Sequence, residues 1–391
     1  MRKLACLILL LTVLTSCSPE PPLHLYDAQE ATMNLPVIDL ELEVYWDYYD
    51  DEDGYDWRKE WYYGWDDEDR KLFGELGYSE PNIFNLRRYY TGIEAYGKHT
   101  GTIANTVEGN HFVGRYDWGF WDILVWNDIR TLDGVQSLVF DEKTSLDSVT
   151  AYTNQTMHPS RYHAPRYTHS FYEPEILFSA YEQAIDINRD LTGFTYDPQR
   201  DAWVRTLKVQ LMPITYIYLT QVIIHNNKGR VTAIDGSSNL SGMARSTTLN
   251  SGRAGEDAIT VYYNARLKKD CPLLPYGTDP ATNPGVEHAD IIGGRLMTFG
   301  LPGHQANGIS RASEVNDNHR HYMDVNLLFN NGIDSTFVFD VTDQVRRRYK
   351  GGVITVELNM DTIPIPSRSG GSGFDAVVED TKDGGTHEFE M

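Results

Sequence analysis

Met323-Asp324-Val325-Asn326-Leu327-Leu328-Phe329-Asn330-Asn331-Gly332-Ile333-Asp334-Ser335-Thr336-Phe337-Val338-Phe339-Asp340-Val341 is the stretch that decides the fold. Met323, Val325, Leu327 and Phe329 take every second position, and Phe337, Phe339 and Val341 do so again beyond the turn. A period of two places those side chains on one face of an extended chain. Asn-Gly closes a hairpin well, because both residues tolerate the left-handed backbone that a tight turn requires. The segment therefore predicts two antiparallel strands with one buried face.

The same alternation recurs along the chain. Ile38, Leu40, Leu42 and Val44 stand against Asp39, Glu41 and Glu43; Leu207, Val209 and Leu211 stand against Thr206, Lys208 and Gln210; and Ile259, Val261, Tyr263, Ala265 and Leu267 make a third face. Val353 to Met360 predicts one more strand before Pro364 and Pro366. Helical spacing is scarce. Ile176, Tyr181 and Ile185 suggest a helix over Tyr172 to Ile187, and Asp343 to Tyr349 reads as a short helical turn ended by Gly351-Gly352. Many short strands between turn signals make the chain all-β and favour sandwiches over barrels or α/β layers.

The N-terminus carries a different signal. Met1-Arg2-Lys3, an apolar run from Leu4 to Leu11, and Leu14-Thr15-Ser16-Cys17 follow the order of a secretory leader ending in a bacterial lipobox. The reading is cleavage before Cys17, lipid on that cysteine, and a proline-rich tether from Ser18 to Pro22. No later stretch supplies the ~20 apolar residues of a membrane helix, so the lipid is the expected anchor. Of three cysteines, Cys6 lies in the leader and Cys17 at the lipobox, leaving Cys271 as a small buried residue with no disulfide partner.

A net charge of -22, two units more negative once Arg2 and Lys3 leave with the leader, makes nucleic acid and anionic lipid poor partners. At about 100 to 200 residues per domain, the length suggests two domains. The expected division is residues 1–16 as leader, 17–34 as lipidated tether, 35–198 and 199–366 as two β-sandwich domains, and 367–391 as a flexible tail. The tail opens with the linker Ser369-Gly370-Gly371-Ser372-Gly373, after which Phe374, Ala376 and Val378 alternate as a candidate final strand.

From Tyr45 to Asp69, Trp and Tyr residues interleave with Asp50-Asp51-Glu52-Asp53 and Asp66-Asp67-Glu68-Asp69. Three readings are open. Asp50, Asp51 and Asp53 are calcium candidates, although the spacing misses the EF-hand's twelfth-position acid. Exposed Trp57, Trp61, Tyr62 and Trp65 would stack on sugar rings. Otherwise the segment is a solvated acidic loop with partly packed aromatics. His319 and His321, two apart near Asp317 and Asp324, could share a transition metal on a strand or be ordinary loop histidines. His158, His163 and His169 have no metal spacing. Gly236-Ser237-Ser238-Asn239-Leu240 and Gly370-Gly371-Ser372-Gly373-Phe374 both miss the nucleophile elbow, and no phosphate loop or dinucleotide fingerprint appears. The chain reads as a non-enzyme without cofactors.

Several patterns resemble Bacteroidota lipoproteins of the fimbrillin and minor-fimbrium anchor superfamily. They are the lipobox; Arg205-Thr206-Leu207-Lys208-Val209 leading to Tyr216-Ile217-Tyr218; Leu240-Ser241-Gly242-Met243-Ala244-Arg245-Ser246; and Phe339-Asp340-Val341-Thr342-Asp343-Gln344-Val345 followed by Gly351-Gly352-Val353-Ile354-Thr355-Val356. These cover the C-terminal half well and the N-terminal half poorly, and none is a catalytic signature. The resemblance implies two tandem transthyretin-like β-sandwich domains at the outer membrane, lipid-anchored at the cell surface. It also implies a fimbria-associated anchor or accessory subunit in adhesion, with fimbrial subunits as partners by strand addition. Stalk subunits of such pili are cut after an arginine, and Arg58, Arg70, Arg87 and Arg88 are all conceivable cut sites. Asp147-Ser148-Val149, Asp334-Ser335-Thr336 and Asp361-Thr362-Ile363 resemble the O-glycosylation triplet of exported proteins in these bacteria, at Ser148, Ser335 and Thr362. The alternative function is a surface glycan-binding lipoprotein that uses the Trp and Tyr cluster.

Overall fold

The structure, a computed structural model, describes residues 35–45, 54–129, 137–142, 149–159, 169–305, 315–366 and 376–378. In chain order its strands are β1 (Val37–Val44), β2 (Ile83–Gly92), β3 (Gly101–Glu108), β4 (His111–Arg115), β5 (Gly119–Asn127), β6 (Leu138–Asp141), β7 (Thr150–Thr153), β8 (Gln155–Pro159), β9 (His169–Tyr172), β10 (Phe178–Ile187) and β11 (Thr195–Asp197). There follow β12 (Ala202–Pro213), β13 (Tyr216–His225), β14 (Val231–Ala244), β15 (Ser246–Thr248), β16 (Ala258–Pro272), β17 (His288–Thr298), β18 (Tyr322–Phe329), β19 (Asp334–Asp340), β20 (Gly352–Asn359) and β21 (Ala376–Val378). Three short helices accompany them: α1 (Trp57–Glu60), α2 (Asp67–Phe73) and α3 (Thr342–Arg347). The protein is nearly all β, as the alternation requires.

Contacts within the chain define two compact units. The smaller gathers residues 35–39, 113–118 and 187–206 among those described. Within it β11 turns back on the start of β12, pairing Tyr196 with Trp203, and Arg200 reaches Asp39 at 3.0 Å. The larger unit holds residues 40–112, 119–186 and 207 onward. One sheet runs β3-β2-β5-β10-β12-β1-β4, a second runs β20-β13-β17-β16-β14-β18-β19-β21, and a small third runs β15-β7-β6.

The second sheet makes a sandwich out of one continuous ribbon. β16 pairs through its first half with β14 and through its second with β17, so one long strand belongs to both layers. Between the layers lie Tyr218, Val222 and Ile224 of β13 with Leu240, Val261, Val325, Leu327, Phe337 and Phe339. The last four are apolar positions of the opening hairpin. Its turn forms as read: Gly332 has φ +75° and its amide donates to the Phe329 carbonyl at 2.9 Å.

β13 is buried along nearly its whole length and sits between parallel β20 and antiparallel β17. Its even-numbered apolar residues face the sandwich, whereas Ile217, Leu219 and Ile223 face outward into a separate apolar cluster. A strand buried on both faces needs apolar residues at successive positions, which is why Tyr216 to Ile224 does not alternate.

The helix expected over Tyr172 to Ile187 is absent. The segment ends β9, crosses an extended stretch and forms β10. Ile176 precedes β10, so only the four-residue step from Tyr181 to Ile185 lies within the strand, and an even step fits one face of a strand as well as a helix. The short helix near Asp343 does form, as α3. Cys271 is a buried free thiol, and burial pushes it above the usual thiol range.

Candidate functional site

The aromatic and acidic segment folds as a clasp on the outer face of β13, β17 and β16. Asp56 caps α1, accepting from the Arg58 amide, and Asp66 and Asp69 form a reciprocal capping box at the start of α2. These caps fix two tight turns, which direct the intervening rings at the sheet. Trp57, Trp61, Tyr63 and Trp65 pack with Ile217, Leu219, Ile223, Ile291, Met297 and Val353. Trp61 is 0% exposed, Trp57 5% and Trp65 9%. The indole nitrogens of Trp61 and Trp65 donate to the carbonyls of Gly64 and Gly74 at 3.1 and 3.2 Å.

Gln221 on β13 anchors the clasp from below. Its Oε1 accepts from the Tyr62 amide at 3.0 Å, and its Nε2 donates to the Glu60 carbonyl at 2.6 Å and to Thr355 Oγ1 at 2.9 Å. The Tyr63 ring lies flat over Gly293, where a Cβ would stand 2.3 Å from the ring's Cγ. Lys268 sits 4.0 Å above the same ring. Asp69, fully buried, accepts from Tyr63 Oη at 2.8 Å, Arg266 Nη1 at 2.9 Å and Lys268 Nζ at 2.5 Å. Asp66 meets the same two cations, and Glu68 meets Arg266. Partial burial opposes ionisation of Asp66, but the Asp69 amide and the two cations hold its carboxyl well below the usual carboxylate range.

This geometry corrects the stacking reading. Trp57, Trp61 and Trp65 are core residues and Tyr62 is half-buried, so the four do not form an exposed platform for sugars. The hydrophobic effect decides the matter: burying an aromatic side chain is worth ~1.5–3 kcal/mol, and an uncovered apolar sheet face lies directly beneath. The second acidic run is committed to caps and ion pairs. Asp50, Asp51 and Asp53 lie outside the described residues, as do Cys17 and Ser148. Among the described residues no cluster of three or more His, Cys, Asp or Glu is arranged to hold a metal ion.

The histidine pair meets on one carboxylate. Asp317 Oδ2 lies 2.6 Å from His321 Nε2, and its Oδ1 lies 2.8 Å from His319 Nδ1. The other ring nitrogen of His321 faces the Ser241 carbonyl at 3.3 Å. Both His321 nitrogens thus face oxygen atoms inside the core and not an open site. Burial opposes charge on Asp317, but the hydrogen bonds from His321 and the His319 amide hold its carboxyl well below the usual range.

Asp324 stands apart from that pair. It accepts from Asn239 Nδ2 at 2.9 Å, and burial pushes its carboxyl up to about 7. Since the unfolded value is ~3.9, this group contributes stability that is full below that pH and lost as pH rises through 7. Asn239 Oδ1 meets no donor among the described residues. Asp324→Asn is expected to raise the melting temperature by several degrees at pH 8, and by less at pH 4, because it removes the charge and supplies an amide donor. Melts with an equal gain at both pH values, or a loss at pH 8, would contradict this.

Of the other residues singled out, Ser335 is buried on β19, while Thr362 is exposed and its hydroxyl donates to the Asn359 carbonyl at 2.8 Å. Arg58 and Arg70 are exposed, Arg87 is paired with Glu142 over the Trp126 ring, and Arg88 is buried. A cavity of about 220 Å³ is lined by Asn85, Trp126, Asp128, Phe140, Glu142 and Glu175. The Trp126 ring there is 2% exposed and offers no stacking face.

What the sequence did not reveal is how the sheet edges are treated. On β20 the Gln344 side chain imitates a neighbouring strand, with Oε1 accepting from the Thr355 amide and Nε2 donating to the Thr355 carbonyl, both at 2.9 Å. Tyr55 Oη accepts from the Val353 amide at 3.0 Å. At the opposite end β21 pairs in parallel with β19, Ala376 to Val378 against Phe337 to Phe339. β3, an end strand of the first sheet, is paired with β2 alone among the described strands.

No protein-family model matches the chain, and no curated protein matches it. Among solved structures it is similar to a candidate adhesin from Bacteroides ovatus, at 11% identity and TM-score 0.46, covering 84% of this chain and 94% of that one. It is similar to candidate polysaccharide binding proteins from Bacteroides thetaiotaomicron, at 10% identity and TM-score 0.40, covering 85% and 94%. It is also similar to the fimbrial anchor protein Mfa2 from Porphyromonas gingivalis, at 11% identity and TM-score 0.38, covering 83% and 90%.

Proposed function

We propose that this chain is a non-enzymatic outer-membrane lipoprotein, held by lipid on Cys17, that serves as an anchor or accessory subunit of a fimbria-like adhesion structure. The observation that carries the reading is the seat of β21. A three-residue strand beyond the Gly-rich stretch at 369–373 joins the β19 edge through parallel pairing. Backbone bonding of this kind needs no special side chain, so the edge is chemically competent to take an equivalent strand from a neighbour. Among the described residues no helix is long and apolar enough to cross a membrane.

The test uses the producing bacterium. A chain ending at Pro366 is expected to reach the membrane normally and to lose co-assembly with its partner subunits, read by cross-linking on whole cells. Cys17→Ser is expected to release the protein from the membrane fraction. Unchanged cross-linked species in the truncated chain would sink the strand-addition reading, and retention of Cys17→Ser in membranes would sink the anchor.

A further inference from the structure

The three sheet ends described above are treated differently, and β3 is the exception. β20 is blocked by Gln344 and Tyr55, and β19 is occupied by β21. Among the described residues β3 has neither device. An open edge is a template for pairing, and proteins ordinarily blunt one with lysine, proline, a bulge or a covering element. From Thr100 to Val107 the sequence is Thr-Gly-Thr-Ile-Ala-Asn-Thr-Val, with no charge and no proline. Its register with β2 is continuous over eight pairs, from Ile83 opposite Glu108 to Tyr90 opposite Gly101, with no bulge. Gly101 to Ala104 are all exposed, Ile103 at 41%. The preceding turn adds Ile93 and Tyr96, exposed at 91% and 81%. The turn is held in place by the Thr100 amide on the Tyr90 carbonyl at 2.8 Å and by His99 on Asp122 at 2.8 Å.

We propose that β3 pairs with β3 of a second copy of this chain, antiparallel about a two-fold axis, to give a dimer through the edge of the first sheet. The strand's own sequence argues for this occupant. A net charge of -22 opposes contact between copies in general, and a strand that meets its own antiparallel copy with no like charges opposed is where that penalty is least. A two-fold axis perpendicular to the sheet must pass through a residue that faces itself, because an isologous contact uses the same patch twice. With the axis at Ala104, Glu108 faces Thr100; with the axis at Asn105, Glu108 faces Thr102. In both registers the single acid of the strand avoids its own copy, and every directly opposed pair is free of like charges. The contact is small, so association in solution is weak, and it strengthens when both copies are confined to one membrane.

Self-facing residues across an antiparallel pair have Cα atoms about 4.5–5.5 Å apart, within reach of a disulfide. The purified full chain carrying Ala104→Cys or Asn105→Cys is treated with a mild oxidant and read by mass on a non-reducing gel. The unsubstituted chain, with its native cysteines, sets the baseline. One of the two variants is expected to give a covalent dimer. Thr102→Cys, whose copy lies well beyond disulfide reach in either register, is expected to stay at baseline. Adding Ile103→Lys to the cross-linking variant, at an exposed position that tolerates the change, is expected to abolish the dimer. Baseline behaviour of both Ala104→Cys and Asn105→Cys would overturn the proposal. So would equal cross-linking at Thr102→Cys, or a dimer that survives Ile103→Lys. The outcome is independent of the tail at β19, since no variant touches that edge.

Discussion

Gly293→Ala is expected to destabilise the protein by about 3 kcal/mol, the upper end of the usual cost of overpacking, because the added carbon would occupy the space of the Tyr63 ring. Glycine in a strand interior is unfavourable on its own, and its presence there marks a close approach. The Cβ would stand 2.3, 2.4 and 2.6 Å from three ring carbons of Tyr63. The ring has little freedom to move, since its hydroxyl is bound to Asp69 and Lys268 lies over its face. Relief therefore requires lifting the clasp and exposing part of the apolar cluster beneath. Chemical denaturation of Gly293→Ala, Tyr63→Ala and the double variant measures the coupling. The penalty of Gly293→Ala is expected to shrink to under ~1 kcal/mol once Tyr63 is gone, whereas additive losses would mean that the two residues do not meet.

Trp61→Ala carries the second large effect. The indole is 0% exposed, tilts against Tyr63 at 5.5 Å between centroids, and donates to the Gly64 carbonyl. Truncating a buried aromatic leaves a cavity as well as losing transfer energy, which together cost about 3–5 kcal/mol. The expected result is a large drop in melting temperature with no specific loss of binding to any sugar. A variant that kept its stability and lost glycan binding would restore the exposed-platform reading and remove the clasp.

The clasp explains why part of this molecule was legible in its sequence and part was not. Strand alternation reports which residues share a face, and it located the hairpin of β18 and β19, β12, β16 and β20 because each has one wet face or a clear turn. It does not report what covers a face. The non-alternating, mostly apolar run from Tyr216 to Ile224, interrupted by Thr220 and Gln221, and the pair Gly293-Gly294 were the available signals that β13 and β17 are covered on the outside, because a doubly buried strand needs the first and a close approach is one cause of the second. The Trp and Tyr cluster carried the matching half of that information. An aromatic residue beside an acid reads equally as platform or as core until its partner surface is known, and the partner lay some 160 residues away, where Gln221 receives the Tyr62 amide. The edge devices were hidden for a similar reason. Gln344 is an unremarkable helix residue until its amide is seen bonding to Thr355 on both sides of the peptide.

The tail strand on β19 is tested most directly by amide hydrogen exchange in the full chain and in a chain ending at Pro366. Residues 334–340 are expected to exchange slowly in the full chain and markedly faster after truncation, while residues 353–357, blocked by Gln344 and Tyr55, keep their protection in both. Equal exchange of 334–340 in the two chains would show that β21 does not hold the β19 edge, and would withdraw the observation on which strand addition rests.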